Sequence, residues 1–380
     1  MALYKYETLK SEYNQFRGPL SVIKVSGKRI ADNKSGFIIG DVLVDLTSGY
    51  EASIASFCIY NCFDEQSKTF NTQDLKKYIC LGQEVTILLG YSTLVKSVFT
   101  GFISKVNYNY NKNDMPHIMV TCMDAKGIMM ANMNNRQLAA QCYSDAVSEI
   151  LQKAAYVRLQ SMEVLKDLKI SNTPDRLDGA GQTQHRGTIE MVAESDYEFI
   201  VRAAKRFNYE FFIDCGDLIF RKAKSSKQTI FELTPETDIY TMDVQYDCTG
   251  VAGTVVVRGT DIDQGKVIEK KLKNNNKFSL GSSAKQLVKN NQKTYIDAGI
   301  VSSSDADNKA EYLMDEISYR FGLLECECIG VPEIKPGYFI EVSGFGDGIS
   351  NQFYVVNVIH RLDQYTGFRT RIIAKANTLL

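Results

Sequence analysis

Residues 194–223, ESDYEFIVRAAKRFNYEFFIDCGDLIFRKA, restrict the fold of this chain more than any other stretch. Ser195 and Glu198 have the spacing of a capping box, which predicts a helix starting just after Ser195. Phe199, Ile200, Ala203, Ala204 and Phe207 then recur at helical spacing, while Arg202, Lys205 and Arg206 fall on the opposite side. Asn208 suits a left-handed stop. Residues 209–214 are aromatic and β-branched, 215–217 read as a turn, and 218–221 as a returning strand. Burial of Phe199, Ile200 and Phe207 contributes roughly 1.5–3 kcal/mol each before ordering entropy is subtracted. On its residues alone the stretch is a helix packed on a hairpin, built for packing rather than chemistry.

A length of 380 residues exceeds one ordinary core, so several domains are expected. A formal net charge of -1 carries no basic excess of the kind nucleic-acid binders show. No apolar run is long enough to cross a bilayer. The first residues lack an apolar signal core, from which a chain made and kept in a cytoplasm is expected. Nine cysteines are scattered without zinc-site spacing, and His117, His185 and His360 lie far apart, so reduced and mostly buried thiols are expected.

Taken in order, 1–36 reads as an N-terminal arm with a strand at 20–25. Residues 37–131 hold short strands at 37–46, where alternation runs through Val42, Val44 and Leu46, and at 52–60, 84–89, 98–110 and 118–123, with Thr72 capping a short helix and a bulge expected at Gly101. Residues 132–229 form a mixed α/β region, with Ser144 as a helix cap, a loop at 171–184 and the helix-hairpin above. Gly179 and Gly181 are not followed by the Lys-Ser/Thr of a phosphate loop. From 230 to 380 the β pattern returns at 239–246, 251–258, 323–331, 338–342, 353–362 and 368–374. That region also holds a Lys/Asn-rich segment at 265–281, read as an exposed loop, and a helix from Ser304 with Ala306, Ala310, Leu313, Ile317 and Phe321 on one side.

The two β regions repeat one another. Val42, Val44 and Leu46, a turn with Gly49, then Phe57 and Ile59 match Met242, Val244 and Tyr246, a turn with Gly250, then Val255 and Val257. Gly82, Val85, Ile87, Gly90 and Tyr91 match Gly337, Ile340, Val342, Gly344 and Phe345, and the strands opening at Phe99 and Phe353 follow in each copy. The fold class expected is α+β, with two similar antiparallel, tube-like β-barrels flanking an α/β domain.

The 194–223 motif, set between these repeats, resembles the baseplate hub of contractile injection systems. That family includes late control protein D of phage tails and the hub region of valine-glycine repeat protein G. The order of the regions covers nearly the whole chain from Leu20 onward. The resemblance implies a structural, non-enzymatic hub in the baseplate of a phage tail or phage-tail-like particle, assembled in the bacterial cytoplasm. It further implies a homotrimer that adapts a hexameric tail tube protein to a trimeric spike protein and touches other baseplate proteins and the tape measure protein. Valine-glycine repeat proteins continue into further domains, whereas this sequence stops at Leu380.

Two other functional classes make specific demands on the sequence. A cell-wall-degrading tail enzyme needs two carboxylates at catalytic separation, and Glu190, Glu194, Asp196 and Glu198 are the nearest grouping. Glu198 is accounted for by the cap and Asp196 by the helix dipole. A nucleic-acid-binding barrel would use Lys266, Lys270, Lys271, Lys273 and Lys277, but no aromatic residues are interleaved with them. No catalytic, cofactor-binding or metal-binding residue is identified, and neither membrane insertion by the chain itself nor specific nucleic-acid binding is expected.

Overall fold

The computed structural model describes residues 3–30, 36–76, 78–92, 94–175, 188–261, 264–276 and 282–379. His185, Lys277 and most of the 171–184 loop lie outside them. Among the described residues one 13-stranded sheet runs through both β regions. After helix α1 (Tyr6–Glu12), the first region supplies β1 (Pro19–Val25), β2 (Ile38–Thr47), β3 (Ile54–Tyr60), β4 (Glu84–Tyr91), β5 (Leu94–Asn109) and β6 (His117–Met123). The central region holds helix α2 (Asp196–Phe207) and the hairpin β7 (Tyr209–Asp214) and β8 (Asp217–Lys222). The remainder supplies β9 (Thr229–Leu233), β10 (Ile239–Tyr246), β11 (Thr254–Asp261), β12 (Lys266–Lys273), β13 (Gln292–Ile296), α3 (Ser303–Ser318), β14 (Gly322–Ile329), β15 (Phe339–Val342), β16 (Asn351–Asp363) and β17 (Gly367–Ala376).

The first half of the sheet is ordered β1-β4-β5-β6-β3-β2, and the second β9-β15-β16-β17-β14-β10. The two orders correspond strand for strand. Their irregularities correspond as well: β5 skips a residue against β6 between Ile103 and Lys105, and β16 skips one against β17 between Val355 and Asn357. The halves differ at one edge, where β1 runs antiparallel to β4 while β9 runs parallel to β15. Alternation places Val42, Val44, Phe57, Ile59, Ile87 and Val120 in the same core as Leu324, Cys326, Ile340, Val358 and Ile372. The N-terminal segment ties the halves together. Tyr4 N donates to Ile230 O at 2.9 Å, Tyr6 Oη to Asp238, and Tyr13 Oη to Glu333 at 2.7 Å.

The strand order corrects one sequence match. The counterpart of β3 is β14, not the strand containing Val255 and Val257. That strand, β11, is the centre of a separate three-stranded sheet, β12-β11-β13. Its apolar face packs on Ala306, Ala310, Met314 and Ile317 of α3. The same period-2 pattern serves both environments, so pattern alone could not tell them apart. The Lys/Asn segment is also corrected: Lys266–Lys273 is the strand β12, paired antiparallel to β11, with Ile268 and Leu272 turned toward α3. Lysine on an edge strand discourages further pairing, which explains a composition that reads as loop.

In the central region the capping box forms. Ser195 Oγ accepts from Glu198 N at 3.1 Å, and Glu198 Oε2 accepts from Ser195 N at 2.7 Å. Asn208 ends the helix at φ 55°. Phe199, Ile200, Ala203, Ala204 and Phe207 are all buried against the hairpin and the neighbouring helices. Ser144 is not a cap. The helix Tyr143–Ile150 starts before it, and its first amides donate instead to Asp175 at 3.1 Å and Thr173 at 3.0 Å, partners distant in sequence. Gly101 is no bulge either. A side chain there would stand 2.3 Å from Met123 O, so close backbone approach is what requires glycine.

His360 on β16 is fully buried, with Nδ1 3.0 Å from Thr370 Oγ1 and the ring against Phe368. Burial lowers its pKa to about 3. An unfolded chain takes up that proton near the ordinary value of about 6.5. The neutral imidazole's contribution is therefore fully present above that pH and is lost as pH falls toward 3. Denaturant titrations across this window should show stability falling with pH, by ~1.4 kcal/mol per unit of pKa difference, and the fall should be smaller in His360→Gln. Equal slopes in the two proteins would contradict the assignment.

Candidate assembly surfaces

The two halves of the sheet meet where β2 pairs antiparallel with β16, Val42 opposite Leu362 through Thr47 opposite Asn357. Val42, Val44, Val358 and His360 face the core across this joint. Asn357 Nδ2 donates to Asp45 Oδ1 at 2.6 Å and Leu46 O at 3.0 Å, and Ser48 N donates to Val356 O at 3.0 Å. The long strand β16 serves both halves: residues 351–354 pair with β15 and residues 357–362 with β2 along the same edge.

The equivalent positions elsewhere are open. Strand β10, the counterpart of β2, pairs only with β14 among the described residues. Strand β5, the counterpart of β16, pairs with β4 up to Phe102 and with β6 from there on, leaving one edge of its last residues without a strand partner among those described. Side chains there are correspondingly exposed: Tyr108 is 52% and Tyr110 58% accessible, against 0% for His360 in the matching strand. Phe63 and Phe70 pack on these tyrosines, with ring centroids 5.2 and 5.5 Å apart.

The sheet carries ion pairs on its outer side, two diagonal between β14 and β17 and one along β16. Arg371 reaches Glu325 at 2.8 Å, Arg369 reaches Glu327 at 2.6 Å, and Arg361 reaches Asp363 at 2.7 Å. Glu325 and Glu327 thus face outward, as the alternation predicts. Arg369 also lies over the Tyr240 ring of the edge strand at 4.0 Å.

A cleft of about 710 Å³ opens where the first half, the central region, α3 and the second half converge; Tyr50, Lys205, Lys224, Tyr312 and Asp315 line it. Two buried charges pin its walls. Lys126 Nζ donates to Gly49 O at 3.0 Å and Glu51 O at 2.7 Å, and burial lowers its pKa to about 8. Glu210 accepts from Arg221 Nε at 2.5 Å and from the Tyr354 hydroxyl, and Arg221 also donates to Gly337 O at 2.7 Å. Gly337 sits at φ +88° with a Phe212 ring carbon 2.4 Å from where a Cβ would be, so the hairpin docks only on glycine.

The carboxylates Glu190, Glu194, Asp196 and Glu198 are each held by structural partners. Glu194 binds Arg202 at 2.6 Å, Glu198 forms the cap, and Glu190 accepts from Thr188 at 3.2 Å. Asp196 is fully buried and accepts from Lys153 at 2.5 Å, Tyr156 at 2.6 Å, Asn132 at 3.0 Å and Asn134 at 3.1 Å. Its position at the first turn of α2 gave no sign of this network, whose partners come from the preceding helices and strand. Among the described residues no group of three His, Cys, Asp or Glu could hold a metal ion. Cys58, Cys62, Cys122, Cys142, Cys326 and Cys328 are buried and unpaired by disulfide, whereas Cys80 is exposed. In the basic strand, Lys270 pairs with Asp307, and Lys271 with Glu269 at 3.1 Å.

Comparison with known proteins adds the following. A family model described as the Alg8 N-terminal domain matches residues 23–364. No curated protein matches the chain significantly. Among solved structures, a tail protein of Neisseria meningitidis MC58 superposes with a TM-score of 0.66 at 14% identity, covering 94% of this chain and 97% of that one. The 43 kDa tail protein of prophage MuSo2 from Shewanella oneidensis gives 0.66 at 12% identity, with 94% and 98% covered. An Escherichia coli component of the type VI secretion system, itself structurally similar to T4 bacteriophage tail proteins gp27 and gp5, gives 0.53 at 11%, with 93% and 76% covered. The fold is therefore that of phage tail proteins.

The geometry at Lys126 yields a direct test. Replacing Lys126 with Met removes the donors from buried carbonyls of the 49–51 turn. This should destabilise the protein by about 2–4 kcal/mol, read from denaturation midpoints. An unchanged midpoint would mean that the turn and the central region are held by other contacts.

Proposed function

This chain belongs to the Alg8 N-terminal domain family, and from that membership and its tail-protein fold we propose that it is the structural baseplate hub of a contractile phage tail or phage-tail-like particle. In this reading each half of the sheet closes as a tube-like barrel. Three chains then give six similar units for a hexameric tail tube, while the regions without a second copy present three-fold surfaces to a trimeric spike. The observation that carries the reading is the repeated strand order, with the halves joined by β2 and β16. A six-fold tube ending on a three-fold tip requires a component with both symmetries, and two similar units in one chain supply it.

The parts outside the repeat support the same division. The central region follows β6, and the β12-β11-β13 sheet with α3 falls between β10 and β14. These connections leave the sheet at the end that carries Thr47, Met123 and Tyr246, whereas the opposite end carries the hairpin after Asp363. The latter end suits the tube and the former the spike, other baseplate proteins and the tape measure protein. The hub is non-enzymatic in this reading, with the grouped carboxylates committed to capping and ion pairs, and it takes its place in the baseplate of the assembled virion or particle.

Native mass spectrometry of the purified chain, alone and with a trimeric spike protein from the same particle, tests the copy number. Three copies of this chain are expected in the assembled species. A stable dimer, or a single copy bound to the spike trimer, would overturn the hub reading.

A further inference from the structure

We propose that copies of this chain join by β-strand pairing between β10 of one copy and the open edge at the end of β5 of the next, in the register that β2 and β16 already use within the chain. The copy number of three rests on the hub reading; the joint itself is derived from the internal repeat.

The correspondence between the halves is residue-exact in the pairing. Val44 and Leu46 of β2 take the places of Val244 and Tyr246 of β10, because Asp45 opposes Ile54 as Gln245 opposes Leu323. The skipped positions after Ile103 and Val355 align β5 with β16, so that Lys105 corresponds to Asn357 and Tyr108 to His360. Within the chain, Asn357 opposes Thr47, Ile359 opposes Asp45 and His360 opposes Val44. Transferred to the open edges, Lys105 opposes Asp247 of the next copy, Asn107 opposes Gln245, and Tyr108 opposes Val244.

These are complementary pairs: opposite charges, two amides, and an aromatic on a β-branched residue. None of this complementarity was used to set the register. Burial agrees as well. Tyr108 is 52% exposed where His360 is buried, and Val244 is half-buried where Val44 is fully buried. Both therefore sit on the core-facing side of an edge that lacks its neighbour. Each chain carries one edge of each kind, so the contact is heterologous and continues from copy to copy until a ring closes. It also removes the two open edges that would otherwise invite non-specific pairing.

The test combines oxidation with native mass spectrometry on the full chain carrying Asn107→Cys and Gln245→Cys. Both positions are on the solvent face, so the monomer fold is expected to persist. Disulfide-linked species of two and three chains are expected, absent from the wild type, whose nine cysteines serve as the control. Mixing the two single variants should give a covalent dimer. As a second arm, Lys105→Glu should deplete the assembled species, and adding Asp247→Lys should restore it. Three-copy assemblies that never cross-link at this pair and ignore the charge swap would overturn the joint while leaving the hub reading intact. A chain that remains monomeric in every condition, spike included, would overturn both.

Discussion

The antiparallel contact between β2 and β16 is the constraint on which the rest of the molecule depends. It turns two repeated halves into one sheet and lets a single core run beneath both. Without it the inner edge of each half would present unpaired amides and carbonyls, and Val42, Val44 and Val358 would lose their cover. The joint also fixes the angle between the halves, so any assembly that repeats it inherits the geometry already stored in one chain.

The central region and α3 are held against that sheet by a few buried charges rather than by a large shared core. Lys126 binds the turn after β2, Arg221 binds the backbone at Gly337, and Glu210 meets Tyr354 on β16. Lys222 and Lys224 pair with Glu311 and Asp315 of α3. The less exposed of these pairs, Arg221–Glu210 and Lys224–Asp315, add little net stability, but separating their partners would leave a desolvated charge uncompensated. They suit a part whose position relative to the sheet must be unique.

Much of this was legible in the sequence where the signal is local. The Ser195–Glu198 box, the apolar stripe of α2 and the Asn208 stop all formed as their spacing predicts. The repeat was legible through Val42–Val44–Leu46 and Met242–Val244–Tyr246, since alternation and glycine placement survive divergence. What failed was long-range. The strand holding Val255 alternates just as the strand holding Phe57 does, yet the true counterpart of the latter, β14, lies beyond residues 247–321, a separation present only in the second copy. The strand at Lys266–Lys273 was hidden by lysines that guard its edge. The networks around Asp196 and Lys126 join residues distant in sequence, and no spacing rule reports them.

The central claim is that one chain contributes two like units to a closed ring and one set of unlike parts to its outer end. Cryo-electron microscopy of the purified particle's tip measures this directly. The account predicts three copies around an open channel, six sheet halves alternating first and second around the ring, and continuous strand pairing across all six joints. A ring in which like halves sit side by side, or in which β10 remains unpaired, would contradict it.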